Sequence, residues 1–285
     1  YDRPHGGFAA LWANTRSTFY DALGRNPELQ SGAYRRTLDT TVPHQFFATS
    51  MIPTPLFRGL FGLAADAPRN GLTFAPRLPA DWEEAAVHNY PVGEQRIDIE
   101  VEQLDHVVTG EGEAAVRASY LVTRFRAHQR SPNLDVHYAP VLPPGSRVVR
   151  VTVDDRPVPH EEMRGAFGTT VTVDLTLSNS SVVAIYFEPG VSVVPRRTER
   201  AEGTQSSDLR VISLGHDERT GEYSLRVEGL GGATYEVELI SPWSAPTDLR
   251  GGWLRAGDSG RYTLFVTIEG EPGAWHHQEI RFRNR

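Results

Sequence analysis

Apolar residues near the start of the chain recur with the spacing of an amphipathic α-helix. The residues that share one face of this predicted helix are Phe8, Leu11, Trp12, Thr15, Phe19, Ala22 and Leu23. Gly24 and the Asn26-Pro27 pair follow as a stop signal, because glycine and proline do not continue a helix. The pattern therefore predicts a first helix that ends before Asn26.

A second helix is predicted to begin at Pro43 and to include Phe47. Pro53 and Pro55 should interrupt or kink it, because each proline lacks a backbone N–H and clashes with the preceding turn. The Gly-Leu-Phe-Gly run at residues 59–62 ends it. A hairpin of two helices with apolar faces is not a domain, so we expect it to pack against further helices.

From Leu63 onward, hydrophobic and polar residues alternate mostly with the period of two that is typical of β-strands. The first group of predicted strands covers residues 72–75, 96–102, 115–125, 134–138, 147–153, 169–175 and 182–187. The second group covers residues 209–214, 223–228, 234–240, 262–268 and 279–283. Short strands separated by turn residues favour an antiparallel β-sandwich.

A polar run with few apolar residues, at 195–208, lies between the two groups of strands and is predicted to be a linker. The predicted fold class is mixed and mainly β, with an N-terminal helical hairpin followed by antiparallel β-sandwich regions. The predicted parts are the hairpin at 1–70, a β-sandwich at 71–194, the linker, and residues 209–285. This last part is either a second β-rich module or a second sheet layer of the first sandwich.

Composition excludes several classes of function. The net charge of −7 argues against binding to a nucleic-acid backbone. All 29 basic residues are arginine, which removes Schiff-base chemistry and the P-loop lysine. Without cysteine there is no disulfide or thiolate site, and the redox compartment stays undecided. No apolar run approaches the length of a membrane span, so no membrane partner is expected.

Neither a metal nor a cofactor is expected. The ten histidines show no spacing that is typical of metal ligands, and no H-E-x-x-H or G-x-S-x-G motif occurs. The glycines at 229–232 form a turn between predicted strands, with no helix following as a dinucleotide site requires.

Glu28 is the candidate catalytic residue. It lies in the loop after the first helix, with Tyr34, Arg35 and Asp39 close in sequence. A carboxylate on such a loop can act as a general base if its surroundings tune its pKa. The other interpretation is a solvated glutamate beside the Arg35-Arg36 pair.

His44 and Gln45 are candidate substrate-binding residues at the first turn of the second helix. A histidine at a helix N-terminus tends to be neutral, and it could then hydrogen-bond a sugar hydroxyl. The other interpretation is a structural histidine that caps the loop.

The stretch "PELQSGAYRRTLDTTVPHQFFATSMIPTPLFRGLFGL", followed by "NGLTFAPRLPADW", resembles the C-terminal end of six-hairpin glycosidases. This superfamily of (α/α)6-barrel enzymes includes glycogen-debranching, amylo-α-1,6-glucosidase-like and α-L-rhamnosidase-like families. The resemblance covers about the first third of the chain. It implies that the two helices are the last hairpin of an α/α toroid and that a β-sandwich follows.

The resemblance also implies a function. Glu28 matches the position of the catalytic base, and Tyr34, Arg35, Asp39, His44 and Gln45 would bind substrate or orient the base. The general acid would lie on barrel helices of the same polypeptide, before Tyr1. The chain starts with Tyr1 rather than Met, and we expect a fragment that is inactive alone.

Three functions therefore remain at this point. The first is the C-terminal part of a retaining or inverting glycoside hydrolase that acts on α-linked oligo- or polysaccharide, of the glucan-debranching type. The second is a non-catalytic carbohydrate-binding sandwich that uses Trp243, Trp253 and Trp275 as a stacking platform. The other interpretation of these tryptophans, which the sequence favours, is packing in the sandwich core. The two interpretations differ in whether the tryptophans line one flat exposed face or point inward. The third is a purely structural domain.

Overall fold

The computed structural model describes residues 4–19, 24, 26–42, 45–109, 116–128, 133–196, 201–241 and 245–284. These residues form a mainly β structure in which the helices are confined to the N-terminal region. The predicted fold class is confirmed. No helix within the described ranges is both long enough and apolar enough to cross a membrane.

Helix α1, Pro4–Ser17, ends earlier than the apolar spacing predicts. Near its end, the hydroxyls of Thr15, Ser17 and Thr18 donate hydrogen bonds to the carbonyl oxygens of preceding residues, at 2.7–2.9 Å. Such side chains compete with backbone hydrogen bonds and favour helix ends. Phe8 packs edge-on against Trp82 of the β region, with 5.1 Å between the ring centroids.

The second helical segment is divided as the two prolines predict. Helix α2, Phe46–Thr49, is followed by a turn and then by a π-helix, Pro55–Leu60, that begins at the second proline. The predicted start at Pro43 lies outside the described residues. Phe57 and Phe61 of this segment contact Tyr90 and Phe74, so the helical region packs against the first β-sandwich.

The first sandwich consists of two six-stranded sheets. One contains β1 Leu63–Asp66, β2 Gly71–Phe74, β6 Leu134–Tyr138, β7 Val141–Leu142, β10 Glu161–Gly165 and β11 Gly168–Leu177. The other contains β3 Glu84–Val92, β4 Gln95–Thr109, β5 Val116–Ala127, β8 Arg147–Val153, β9 Arg156–Pro157 and β12 Ser180–Glu188. Pairing is antiparallel except between β2 and β6, which are parallel neighbours.

Aromatic side chains fill the centre of the first sandwich. Phe74, Phe125 and Tyr138 are almost completely buried and contact one another, with ring centroids 5.7–5.9 Å apart. The Tyr138 hydroxyl shares a 2.6 Å hydrogen bond with that of Thr123, which satisfies both buried groups. Burial raises the pKa of Tyr138.

The second β group has two four-stranded sheets and a hydrophobic core of its own. One sheet contains β13 Ser192–Pro195, β16 Thr234–Ile240, β18 Trp253–Ala256 and β19 Arg261–Thr267. The other contains β14 Arg210–Asp217, β15 Glu222–Leu230, β17 Thr247–Arg250 and β20 Trp275–Arg283. The structure thus places β13, most of which the sequence assigned to the first sandwich, in the second.

The predicted linker makes specific contacts with the N-terminal loop. The backbone N–H of Arg35 donates to the carbonyl oxygen of Thr204 at 2.9 Å, and that of Gly203 donates to the carbonyl oxygen of Arg35 at 2.8 Å. The Arg35 guanidinium also forms an ion pair with Asp208. Residues 203–208 therefore hold the tip of the loop that carries the candidate site.

Candidate functional site

The loop that follows α1 folds at residues 28–42 into a small β-type hairpin, which is called the hairpin from here on and is distinct from the predicted helical hairpin. Gln30 and Thr37 form an isolated antiparallel bridge, and the N–H of Leu38 donates to the carbonyl oxygen of Leu29. At the base of the hairpin, the N–H of Glu28 donates to the carbonyl oxygen of Val42 at 3.1 Å. The backbone of Glu28 is therefore fixed while its side chain is exposed.

Glu28 lines a cleft of about 260 Å³ at the junction of α1, the hairpin and α2. The cleft is lined by Asn14, Ser17, Asn26, Pro27, Glu28, Gln30, Ala48 and Met51. Most of these side chains carry hydrogen-bonding groups. Glu28 is the one carboxylate among these lining residues.

Asn26 connects the walls of this cleft. Its side-chain nitrogen Nδ2 donates to the carbonyl oxygen of Ala48 at 3.1 Å, and its own carbonyl oxygen accepts from the N–H of Gln45. The residue is only 6% exposed, yet its Oδ1 has no hydrogen-bond partner within the described structure. A buried acceptor without a partner costs about 1–3 kcal/mol.

The other predicted site residues lie elsewhere. Tyr34 and Arg35 are at the tip of the hairpin, against residues 203–208. Asp39 is exposed in a turn, and Gln45 contacts Asn26 through its backbone N–H. None of these four lines the cleft. His44 lies outside the described residues, and the substrate-binding roles of all five stay predictions.

Three cleft residues, Asn14, Ser17 and Gln30, were not singled out from the sequence. Asn26 was recognised only as part of a helix stop signal. A polar side chain on a predicted helix or in a turn is normally solvated, so its type carries no signal for a site. What identifies these residues is the way α1 and α2 meet around them.

The chain matches no protein-family model, no curated protein and no solved structure. The resemblance to six-hairpin glycosidases therefore stays a prediction. Within the described residues, no group of three or more His, Asp or Glu side chains is arranged to hold a metal ion.

A second cavity, of about 110 Å³, lies between the two sandwiches and the start of α1. Its walls are mainly apolar, with Leu78, Val101 and Leu121 on the side of the first sandwich. No carboxylate lines it. The Glu28 cleft is therefore the better candidate for acid–base chemistry.

The tryptophans do not share a platform. Trp253 pairs across the sheet with Phe265, whose sequence neighbours Leu264 and Val266 point into the core, so Trp253 lies on the outer face of its sheet. By the same alternation, Trp275 lies on the outer face of the opposite sheet, since Ile280 and Phe282 point inward. Trp243 lies outside the described residues. A platform that joins Trp253 to Trp275 is excluded because two outer faces of a sandwich point in opposite directions.

Proposed function

We propose that the chain is part of a glycoside hydrolase that acts on α-linked oligo- or polysaccharide, of the glucan-debranching type, with Glu28 as its general base. The observation that carries the proposal is the polar cleft that this exposed carboxylate lines together with Asn14, Ser17 and Gln30. The resemblance of the surrounding sequence to six-hairpin glycosidases supports the same role for Glu28.

The chemistry of the cleft suits a sugar. Sugar hydroxyls both donate and accept hydrogen bonds, and the amides of Asn14 and Gln30 do the same. The Ser17 hydroxyl donates to the carbonyl oxygen of Asn14 and is left as an acceptor. The hydrogen bond from Asn26 Nδ2 to the carbonyl oxygen of Ala48 holds two walls of the cleft together. Met51 and Pro27 supply apolar surface for the C–H faces of a sugar ring.

In the proposed reaction, the Glu28 carboxylate takes a proton from a water molecule as that water attacks the anomeric carbon. Glycoside hydrolysis by this route also needs a carboxylic acid that protonates the leaving oxygen, about 6.5–9.5 Å from the base, as in an inverting enzyme. In a retaining enzyme the carboxylate about 5–5.5 Å from the acid is the nucleophile instead. The lining residues do not include such an acid. The proposal therefore requires that other helices of the same polypeptide supply it.

Exposed apolar side chains in the helical region support that requirement. More than half of the large hydrophobic residues that are exposed in the described structure lie within residues 12–51, namely Trp12, Phe19, Leu29, Tyr34, Val42, Phe47 and Met51. Phe19, Phe47 and Met51 are each more than 50% exposed. An apolar surface concentrated on one region is typical of a face that packs against other protein, here the proposed barrel helices.

The test is hydrolysis of maltooligosaccharides and branched glucans by a polypeptide that includes the barrel helices, with and without Glu28→Gln. We expect kcat to fall by about a thousandfold or more while substrate binding is kept, because the substitution removes the base but keeps the shape. Glu84→Gln, an exposed glutamate on β3, is the matched control. Unchanged turnover in Glu28→Gln would assign the base elsewhere and leave the chain with a binding or structural role.

A further inference from the structure

The outer face of the sheet formed by β13, β16, β19 and β18 carries an ordered set of polar and aromatic side chains. Val237 and Leu239 of β16 point into the core. Glu238 lies between them and Glu236 precedes Val237, so both glutamates point outward. On β19, Thr263 and Phe265 point outward for the same reason. The strand register places Glu238 opposite Thr263, and Glu236 opposite Phe265.

A cleft of about 470 Å³ lies on this face. Two ion pairs cross it, Arg196 to Glu236 and Arg261 to Glu238, each with 2.6 Å between nitrogen and oxygen. Asp81, from the loop before β3, forms part of the wall that the first sandwich contributes. The site is therefore concave and is built from both sandwiches.

An exposed aromatic side chain lies on the same outer face, outside the lining of the cleft. Trp253 on β18 is paired with Phe265, and their rings stack with centroids 3.8 Å apart and planes inclined by 6°. Phe265 is 8% exposed, whereas Trp253 is 55% exposed. One indole face thus packs on Phe265, which lies opposite Glu236 on the next strand, and a large part of the ring remains accessible.

The charges of this face indicate a neutral ligand. Among the described residues, the lining of the cleft carries both signs of charge, with Arg196 and Arg261 beside Asp81, Glu236 and Glu238. A phosphate-bearing ligand would meet the carboxylates together with the arginines. A polyol, in contrast, donates to carboxylates and accepts from guanidinium groups, and both bonds are strengthened by the charge.

We propose that this face binds a neutral oligosaccharide, with Trp253 stacking on one sugar ring and the Arg–Glu pairs holding the hydroxyls of the neighbouring rings. From β13 to β18 the face spans three strand intervals, about 14 Å, which accommodates several sugar units. The surface uses neither Glu28 nor its cleft, so it does not rest on the proposed catalytic role. It would hold a polysaccharide chain at a second point.

The test places a reporter on each tryptophan. The chain is labelled with 5-fluorotryptophan, and Trp253→Phe assigns the ¹⁹F resonance of Trp253. Maltoheptaose and cellohexaose are then titrated separately, to cover α- and β-linked chains. We expect the Trp253 resonance to shift in a saturable manner with at least one of them, while the resonances of Trp82 and Trp275 stay in place.

Variants locate the binding site. Trp253→Ala and, independently, Glu238→Ala should each weaken binding by about three- to tenfold. Trp275→Phe, on the opposite outer face, should leave the affinity unchanged, and thermal unfolding checks that every variant is folded. Glu28→Gln should also leave the Trp253 response intact, which separates this site from the proposed catalytic cleft. The proposal is overturned if neither sugar moves the Trp253 resonance at millimolar concentration, or if binding occurs while that resonance stays fixed.

Discussion

The hydroxyl of Tyr223, in the second sandwich, donates a hydrogen bond to the backbone carbonyl oxygen of Pro144, in the first, at 3.3 Å. Tyr223 is 4% exposed and stacks in parallel on Phe282 of its own core. The same carbonyl oxygen accepts from the N–H of Val191, which begins the second sandwich. One buried phenol therefore links the core of one sandwich to a turn of the other.

The first prediction concerns alkaline pH. Burial raises the pKa of Tyr223 to about 12 from 10.0, so the unfolded chain loses this proton at a lower pH than the folded one. The contribution of Tyr223 to the free energy of unfolding is complete below pH 10 and should be lost as the pH rises to about 12. Since one pKa unit corresponds to about 1.4 kcal/mol, the loss should approach 2–3 kcal/mol. Urea unfolding as a function of pH measures it.

The matched variant is Tyr223→Phe, which keeps the ring and removes the titrating group. It should be less stable than wild type at pH 8 by about 1 kcal/mol, the net value of a hydrogen bond. The difference in stability should shrink or reverse between pH 10 and 12, because only the wild type loses the contribution of Tyr223. The other tyrosines titrate in both proteins and do not affect the difference. Parallel pH profiles for the two proteins would contradict the assignment.

The second prediction separates backbone strain from overpacking at Gly145. Both Gly145 and Gly203 have left-handed backbones, with φ of 83° and 78°. A Cβ at Gly145 would lie 2.0 Å from the Tyr223 hydroxyl oxygen, whereas nothing lies within 4 Å at Gly203. Gly203→Ala should cost about 1–2 kcal/mol, from the backbone conformation alone.

Gly145→Ala should cost about 1–3 kcal/mol more than Gly203→Ala, because the Tyr223 side chain must also move. Chemical denaturation of both variants gives the two values. Combining Gly145→Ala with Tyr223→Phe, which removes the clashing oxygen, should recover part of the excess. Equal costs for the two alanine variants would mean that the contact at Gly145 does not constrain the interface.

The third prediction concerns the hydrogen bond between Thr123 and Tyr138. Thr123→Val keeps the shape of the side chain but leaves a completely buried tyrosine hydroxyl without its partner, which should cost about 1–3 kcal/mol. Replacing both residues, as Thr123→Val with Tyr138→Phe, removes both polar groups. The double variant should be more stable than the sum of the single effects predicts, and additive losses would contradict the coupling.

The fourth prediction concerns the contact between residues 203–208 and the hairpin. Arg35→Ala removes the ion pair with Asp208, in which the Arg35 side chain is 20% exposed and that of Asp208 28%. The loss should lower the free energy of unfolding by about 1–2 kcal/mol. Hydrogen exchange should accelerate at the N–H groups of Arg35, Gly203 and Ser206, which form the backbone contact. Arg36→Ala, at the exposed neighbouring position, is the control. Exchange that increases equally in both sandwiches would instead indicate global destabilisation.

Three strands were predicted to the residue. The bounds of β6, β8 and β16 agree with the predicted 134–138, 147–153 and 234–240, and β6 alternates between buried and exposed along its whole length. Strand β3 was missed because a bulge between Val87 and Tyr90, with Asn89 at φ 58°, breaks the period. Strand β10 was missed because all five of its residues are exposed.

The candidate site was predictable only in part. Glu28 was recognised from its loop and its neighbouring sequence, and the structure places it at a polar cleft. The role of Asn26 was not predictable, because its Nδ2 donates to the carbonyl oxygen of Ala48, 22 residues away in the chain. Arg35 was expected near substrate, but its distance in sequence from Asp208 concealed the ion pair.

The sequence by itself determined the order of the helical and β regions and the positions of most strands, since these follow from local propensity and from the spacing of apolar residues. Only the tertiary structure decided that the second β group has its own core, that β13 belongs to it, and that the linker binds the hairpin. It also decided which side chains meet at the Glu28 cleft and beside Trp253. The reason is physical: these relationships join residues far apart in the chain, and burial on a shared surface, rather than a local pattern, selects them.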